Sequence, residues 1–411
     1  MKRPHASPVI PGLTRDPRHP GQAITSEAWI AGRARNDIRF LKPVMAWLVA
    51  IALVFAAAVA QAAAEPIVIG QSLPLTGAGF PVANRVVAGA KAYVERINAS
   101  GGISGRPLEL VTLDDGGDLK RHAANLGTLV RQHRALAIVN CLGEKACLVA
   151  AEATRELRVP LLGPMSGAQA LRSPGVAHVF TLRPGDDQEA GALARQLVAI
   201  GITRALLLVD DAEPARTQAM AAALQRAGLT TTRIDVDARA GAMEAAFRRI
   251  GPAAPQALVL HLGHESLDAL NRLPTSAHAG VPSTLATLSS AGLTQLTRLF
   301  RERLIGYTSV VPNPELTGLP IVRDLQRDAD EFIGPEALTF EGLEAYLTVR
   351  LCVEALRRAG ARADGPRLAE AIEGLGTVDL GGFRLTFGRG RHHGSDYVEI
   401  GMRARDGRLL K

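Results

Sequence analysis

Short apolar runs alternate with amphipathic segments along most of the chain, from residue 66 onward. The apolar runs are rich in β-branched side chains and predict strands, whereas the segments between them place apolar side chains at helical spacing and predict helices. In the first part of this pattern, the predicted strands are 67–73, 108–113 and 135–139, and the predicted helices are 84–98, 119–132 and 145–157.

Alternating strands and helices predict right-handed crossover connections and largely parallel sheets. About ten strands exceed one comfortable open sheet, so we expect two α/β lobes with separate cores. A long helix is predicted at 340–359, and residues 383–387 and 397–400 are expected to form a final pair of strands. The strands between these parts are predicted at 160–162, 177–181, 205–209, 229–236, 257–261, 283–287 and 307–311.

Residues 1–64 lack this alternation. The stretch 44–64 is apolar except for Gln61, follows Arg39 and Lys42, and ends in small-x-small cleavage patterns. This order predicts a cleaved secretory signal and export to the periplasm. The alternative is an uncleaved membrane anchor, because about 20 apolar residues can span a bilayer. The Pro- and Arg-rich stretch before it indicates a start codon assigned too early.

The charge of the chain is concentrated in that leading part. The 411 residues carry a net charge of +7, but residues 1–64 hold eight Lys or Arg and three Asp or Glu. The rest contains 39 basic and 37 acidic residues and is nearly neutral. We therefore expect no nucleic-acid partner. Three cysteines are too few for a small disulfide framework.

Several short motifs occur in a fixed order along the body. They are 69–77 (IGQSLPLTG), 93–107 (YVERINASGGISGRP), 159–168 (VPLLGPMSGA), 310–314 (VVPNP), 340–346 (FEGLEAY) and 381–387 (GGFRLTF). Their order and spacing over residues 65–411 resemble those of type I periplasmic binding proteins. The resemblance is to the branch that includes the leucine/isoleucine/valine receptors of ABC importers.

The resemblance implies two doubly wound parallel-sheet α/β lobes joined by three crossover segments, with a ligand cleft between them. The crossings are expected near Arg183, near Pro312 (residues 311–314) and near residues 381–383, with Arg183 and Pro312 as hinge positions. The first lobe would then comprise 65–183 and 314–381, and the second lobe 184–313 and 382–411. The resemblance also implies a monomer without a cofactor, which closes around its ligand and docks on an ABC permease.

Loops that follow strands are the expected ligand contacts, because ligands of open α/β sheets sit beyond the carboxyl ends of the strands. Loops of the first lobe offer hydroxyl and backbone N–H groups suited to an anionic group, and those of the second lobe offer carboxylates suited to an ammonium. The alternative interpretation of the Asp210-Asp211 pair is a solvent-exposed strand end that does not contact a ligand. The candidates are Thr76, Gly77, Gly143, Glu144, Met165, Ser166, Gly167, Asp211, Glu213, Ser289 and Ser290.

Three segments depart from the amino-acid-binding pattern. Residues 212–215 (AEPA) replace an aromatic-Gly pair, residues 142–147 (LGEKAC) replace a Gly-Thr or Ser-x-Thr loop, and the stretch after Arg183 lacks a Tyr. We therefore expect the scaffold of the pocket to be retained without a standard amino-acid site.

Two local patterns leave alternatives open. His261 and His264 could bind a metal, line the cleft or be structural; no third ligand is evident nearby, and no metal is expected. Cys141 and Cys147 are six residues apart and could form a disulfide in an oxidising compartment if their Cα atoms lie within about 7 Å.

The sequence favours a protein that binds a small amino-acid-like or carboxylate ligand and performs no chemistry. The segment 163–167 (GPMSG) has its Ser one place off the nucleophile-elbow spacing, and no nucleophile–base or metal constellation is evident. The alternatives are a periplasmic sensing module for a regulator and a membrane-tethered receptor domain.

Overall fold

The computed structural model describes residues 65–411 except 238, 240, 290–295, 297–298, 301–302, 317, 404–408 and 411. The predicted signal segment 44–64 and the site candidate Ser290 lie outside the described residues. Within these residues, no helix has the length and apolar character needed to cross a bilayer.

Five parallel strands form the sheet of what we call the first lobe, in the order β2-β1-β3-β4-β5. A helix follows each of the first three strands, as the alternation predicts. The elements are β1 (Ile67–Leu73), α1 (Phe80–Ala99), β2 (Leu108–Asp114), α2 (Leu119–Arg131), β3 (Ile138–Leu142), α3 (Glu144–Leu157), β4 (Leu161–Met165) and β5 (Val179–Phe180).

Seven strands form the sheet of the second lobe, in the order β14-β13-β10-β9-β8-β6-β7. Strands β7, β6, β8, β9 and β10 run parallel, whereas β13 pairs antiparallel with β10. The elements are α4 (Asp186–Ala199), β6 (Arg204–Val209), α5 (Pro214–Arg226), β7 (Thr230–Asp235), α6 (Ala242–Ala253), β8 (Ala257–His261), α7 (His264–Asn271), β9 (Thr284–Thr287), β10 (Leu304–Ser309), β13 (Glu399–Arg403) and β14 (Leu409–Leu410).

Each sheet separates two hydrophobic cores, because successive side chains of a strand point to opposite faces. In β6, Leu206 and Leu208 pack with α6 and α7, whereas Ala205 and Leu207 pack with α4 and α5. The predicted fold class, an α/β protein with parallel-strand sheets in two lobes, is confirmed.

The chain returns to the first lobe after β10. The helices there are α8 (Pro320–Asp328), α9 (Phe340–Ala359) and α10 (Gly365–Glu373). Tyr93 of α1 packs edge-to-face on Tyr346 of α9 with ring centroids 4.9 Å apart. A β-carbon at Gly89 would lie 1.9 Å from the carbonyl oxygen of Gly342, so glycine permits this close approach of α1 and α9.

The last two predicted strands both form, but they do not pair with each other. Strand β12 (Arg384–Thr386) pairs with a short strand that the sequence did not reveal, β11 (Thr377–Asp379), and β13 joins the second-lobe sheet instead. Phe383, Leu385 and Phe387 pack in the first-lobe core, so the crossing expected at 381–383 is not where the chain changes core. We propose that residues 388–398 form the third crossing; the other lobe boundaries stay predictions.

Two of the crossings run side by side. Thr181 donates its N–H to the carbonyl of His392 at 2.9 Å, and Gly394 donates its N–H to the carbonyl of Thr181 at 2.8 Å. These bonds join the segment before Arg183 to the segment that leads into β13.

Candidate ligand-binding cleft

A cavity of about 1010 Å³ lies between the carboxyl ends of the strands of the two lobes. Its wall is built from the loops after β1, β2 and β3 and the end of β4 on one side, and from the loops after β6, β7, β8 and β9 on the other. This is the place where open parallel sheets bind ligands. The start of α9 and the chain around β10 complete the wall.

A disulfide closes the loop that follows β3. Cys141 at the end of β3 is bonded to Cys147 in α3, with Cα atoms 5.3 Å apart. Both cysteines are fully buried, and all five residues between them belong to the cavity wall. Gly143 adopts φ +83°, a left-handed conformation that favours glycine and lets the chain turn into α3.

This loop touches the second lobe at two points. The Glu144 carboxylate accepts a hydrogen bond from the backbone N–H of Ala215 at 3.0 Å, at the start of α5. Lys145 Nζ lies 3.3 Å from the exposed Asp211 carboxylate. Burial raises the pKa of the Glu144 carboxyl, and the nearby Glu213 charge acts in the same direction.

Three side chains form a buried polar cluster at the end of β2. Asp115 Oδ2 accepts a hydrogen bond from Ser72 Oγ at 3.0 Å and lies 2.8 Å from His122 Nδ1. All three residues line the cavity. Because a carboxylate only accepts hydrogen bonds, Nδ1 carries the hydrogen, and His122 Nε2 has no partner among the described residues.

A second buried polar cluster supports the floor of the cleft in the second lobe. Arg216 Nη2 lies 2.5 Å from Glu189 Oε2, and the other Glu189 oxygen accepts hydrogen bonds from Ser289 N–H at 2.6 Å and Thr308 Oγ1 at 2.5 Å. Asp186 Oδ1 lies 3.5 Å from Arg216 Nε. Burial raises the pKa of the Asp186 carboxyl to about 6, although the positive charge of Arg216 acts in the opposite direction.

Arg183 in the first crossing is paired with Glu344 of α9. Its Nε and Nη2 donate to the two carboxylate oxygens at 2.8 and 2.7 Å, and both side chains are about 5% exposed or less. The geometry is bidentate, which is the strongest form of this ion pair. The pair fixes the first crossing to the helix that carries part of the cavity wall.

The end of β8 carries the two histidines that the sequence analysis considered for a metal. His264 lines the cavity, whereas His261 is buried with Nε2 3.5 Å from the Glu213 carboxylate. Burial lowers the pKa of both rings.

Most site residues expected from the sequence lie in the cavity wall. Those in the wall are Thr76, Gly143, Glu144, Met165, Asp211, Glu213, Ser289 and Arg183. Thr76 Oγ1 donates to the Asp114 carboxylate at 2.8 Å, so this hydroxyl already has an acceptor. Ligand contact by these residues stays a prediction.

The wall does not include four of the expected residues. Ser166 is 2% exposed and its Oγ accepts a hydrogen bond from the N–H of Ala168. A β-carbon at Gly167 would lie 2.3 Å from Asp186 Oδ1, so this glycine faces the first crossing. Gly77 is outside the wall, and Pro312 lines a separate cavity of about 370 Å³ between crossing segments. Ligand contact by Gly77, Ser166 and Gly167, and the hinge role of Pro312, stay predictions.

Sequence reasoning missed three parts of the site. Neither Asp115 nor His122 is among the site residues expected from the sequence, and Glu344 enters only as part of the motif 340–346. The one available indication was the position of Asp115 directly after a strand. His122 and Glu344, the partners of Asp115 and Arg183, lie on helices, and their contacts can be identified only from the folded structure.

Comparisons with known proteins agree with this architecture. Residues 66–407 match the family of periplasmic binding proteins. A structure of a possible leucine/isoleucine/valine-binding protein from Rhodopirellula baltica superposes with a TM-score of 0.75 and 25% identity, covering 85% of this chain and 97% of that one.

Two curated relatives match shorter parts of the chain. An amino acid binding protein from Pseudomonas aeruginosa is 28% identical over 35% of this chain and 39% of its own length. A substrate-binding protein of a chemotactic signal transduction system from Halobacterium salinarum is 30% identical over 36% of this chain and 39% of its own length. The chain thus spans about two fifths of the length of these relatives.

The family match covers most of the chain, and the two lobes with their shared cleft agree with it. The chain belongs to the periplasmic binding protein family and has the two-lobed architecture of a type I periplasmic binding protein.

Proposed function

We propose that this chain is the solute-binding component of an ABC importer, which captures a small ligand in its cleft and delivers it to a membrane permease. The observation that carries the proposal is the cavity of about 1010 Å³ between the lobes, together with the contacts of Glu144 and Lys145 across its rim. A ligand that adds contacts to both lobes favours the closed arrangement by its differential affinity.

The proposal includes export through the segment 44–64 and action as a monomer in the periplasm. The ligand leaves the cleft chemically unchanged. Its contacts come from the wall residues Thr76, Gly143, Glu144, Met165, Asp211, Glu213 and Ser289.

The test is uptake of isotope-labelled amino acids and amines by a strain that lacks this gene. Complementation with the wild type is expected to restore uptake of at least one compound. Ala78 lies in the cavity wall, so Ala78→Trp places a bulky ring in the cavity and is expected not to restore uptake. Ala199→Trp, at the exposed end of α4, is expected to restore uptake. Equal uptake by the deletion strain and its parent would contradict import.

A sensing module for a chemotactic or regulatory receptor is the second candidate. The relative from Halobacterium salinarum, named as a substrate-binding protein of a chemotactic system, favours it. The same strains distinguish the two, because a sensor leaves uptake intact and removes the chemotactic or transcriptional response.

A further inference from the structure

The cavity wall is acidic, although the part of the chain that forms the two lobes is nearly neutral. Among the described residues, the wall contains eleven Asp or Glu and only three Lys or Arg, whereas residues 65–411 contain 37 acidic and 39 basic residues. A cleft lined by one sign of charge concentrates ligands of the opposite sign.

The three basic side chains of this wall already have partners. Arg183 is in the bidentate pair with Glu344, and Lys145 lies beside Asp211. Arg303 donates to the carbonyls of residues 278, 281 and 282 at 3.0 to 3.1 Å. Arg183 Nη1 is buried without a hydrogen-bond partner in the described part of the chain, and it could donate to a ligand oxygen.

Carboxylates of the protein occupy the helix N-termini that an anionic ligand would use. Glu144 accepts the N–H of Ala215 at the start of α5, Asp210 accepts the N–H of Gly263 before α7 at 2.8 Å, and Asp118 accepts the N–H of Arg121 in α2 at 2.7 Å. Free N–H groups at such ends are the usual backbone site for a carboxylate. These contacts therefore disfavour an anionic ligand at the three helix ends.

An unsatisfied hydrogen-bond acceptor in the first-lobe part of the wall also favours a ligand that donates hydrogen bonds. His122 is 1% exposed and belongs to the wall, and the Asp115 carboxylate holds the hydrogen of the ring on Nδ1. In the neutral ring, Nε2 is therefore a hydrogen-bond acceptor, and it has no donor in the described part of the chain. A protonated amine or guanidinium of a ligand would supply that donor.

We propose that the cleft binds a small organic cation, a ligand of net positive charge with protonated amine or guanidinium groups. The acidic wall attracts the cation, and His122 Nε2 accepts one of its N–H groups. This inference rests on the proposed solute-binding function and specifies the charge of its ligand, where the sequence alone favours an amino-acid-like or carboxylate compound.

The experiment is isothermal titration of the purified full chain with L-arginine, L-lysine, putrescine, L-leucine and L-glutamate. We expect at least one of the three cations to bind tenfold or more tightly than L-leucine and L-glutamate, with an affinity that falls as salt is added. Putrescine separates a plain diamine from the basic amino acids, whose carboxylate could accept from Arg183 Nη1. Absence of binding by all three cations would overturn the inference.

Neutralising one wall carboxylate tests the charge directly. Glu265 is an exposed wall residue in the first turn of α7, and Glu265→Gln is expected to weaken cation binding by roughly threefold to tenfold. Glu244→Gln, an exposed residue of α6 outside the wall, is the matched control with unchanged affinity. Equal affinities of the two variants would overturn the role of the acidic wall. If L-leucine or L-glutamate binds more tightly than any of the three cations, the proposal of a cationic ligand is wrong, but the protein still binds a solute. The uptake assay tests solute import separately.

Discussion

Glu144 of the first lobe accepts the backbone N–H of Ala215 in the second lobe at 3.0 Å. The acceptor sits in the first turn of α3, inside the loop closed by the disulfide, and the donor sits in the first turn of α5. One hydrogen bond therefore connects two helix starts across the rim of the cleft.

Removing this contact should favour separation of the lobes. We expect Glu144→Ala to lower ligand affinity by roughly tenfold, because a hydrogen bond to a charged group contributes about 1.5–3 kcal/mol. X-ray scattering should show a larger radius of gyration for this variant. Glu152→Ala, an exposed residue of the same helix, is the control. Identical scattering and affinity for Glu144→Ala and wild type would contradict a role in closure.

The ion pair of Arg183 and Glu344 should contribute strongly to stability. Glu344→Gln leaves a buried guanidinium without its counter-charge, so the free energy of unfolding should fall by about 3–5 kcal/mol. Glu341→Gln on the same helix removes a partly exposed contact of 3.7 Å with Arg85 and should cost about 0–1 kcal/mol. Urea unfolding of both variants measures the difference, and similar midpoints would count against the pair.

The disulfide between Cys141 and Cys147 can be checked by counting thiols. Burial raises the pKa of the Cys352 thiol to about 12, so this thiol should resist alkylation in the folded protein. We expect one alkylated cysteine after denaturation without reductant and three after reduction, as the sequence contains three. Peptide mapping that finds free thiols at 141 and 147 in the unreduced protein would exclude the bond.

Opening that disulfide should affect the cleft as well as stability. Closure of such a short ring stabilises the fold by roughly 2 kcal/mol in the chain-entropy view. We expect the double variant Cys141→Ala/Cys147→Ala to lose about that much, measured by urea unfolding, and to bind ligand more weakly because residues 142–146 line the cavity. Unchanged stability and affinity in this variant would contradict the role assigned to the loop.

Acid should destabilise the protein partly through His261. In the unfolded chain this ring takes up a proton below about pH 6.5, whereas burial lowers its pKa in the folded chain. The unfolded state then binds more protons, so stability is lost as the pH falls through 6.5 towards the lower folded value. We expect His261→Asn to reduce the fall in unfolding free energy between about pH 7 and pH 5. His133→Asn at an exposed position is the control, and parallel curves for wild type and His261→Asn would refute this contribution.

Local pattern was enough to predict most of the fold. The helix Phe340–Ala359 has the bounds that its sequence predicts, because Thr339 caps its start by accepting the N–H of Gly342 and Gly360 ends it. The partners of β12 and β13 were not predictable, because an alternating run of three to five residues does not specify which sheet it joins.

The sequence indicated the location of the site more clearly than the chemistry of its ligand. Loops after strands brought Thr76, Gly143 and Ser289 to the wall as expected. Ser166 lies in an equally suitable loop, but it is buried, and its neighbour Gly167 lies against Asp186, a contact that the local sequence does not reveal. The acidic character of the wall also arises from many separate segments, each of which looks ordinary by itself.

The central claim is that the cleft between the lobes captures a small ligand. The most direct measurement is a thermal-shift screen of the purified protein against amino acids, diamines, small carboxylates, amides and polyols, in parallel with Ala78→Trp and Ala199→Trp. A ligand at a hundred times its dissociation constant should stabilise the fold by roughly 2.7 kcal/mol. We expect at least one compound to raise the melting temperature of wild type and Ala199→Trp but not that of Ala78→Trp. A compound that stabilises all three proteins equally, or a screen in which none shifts the wild type, would contradict capture in this cleft.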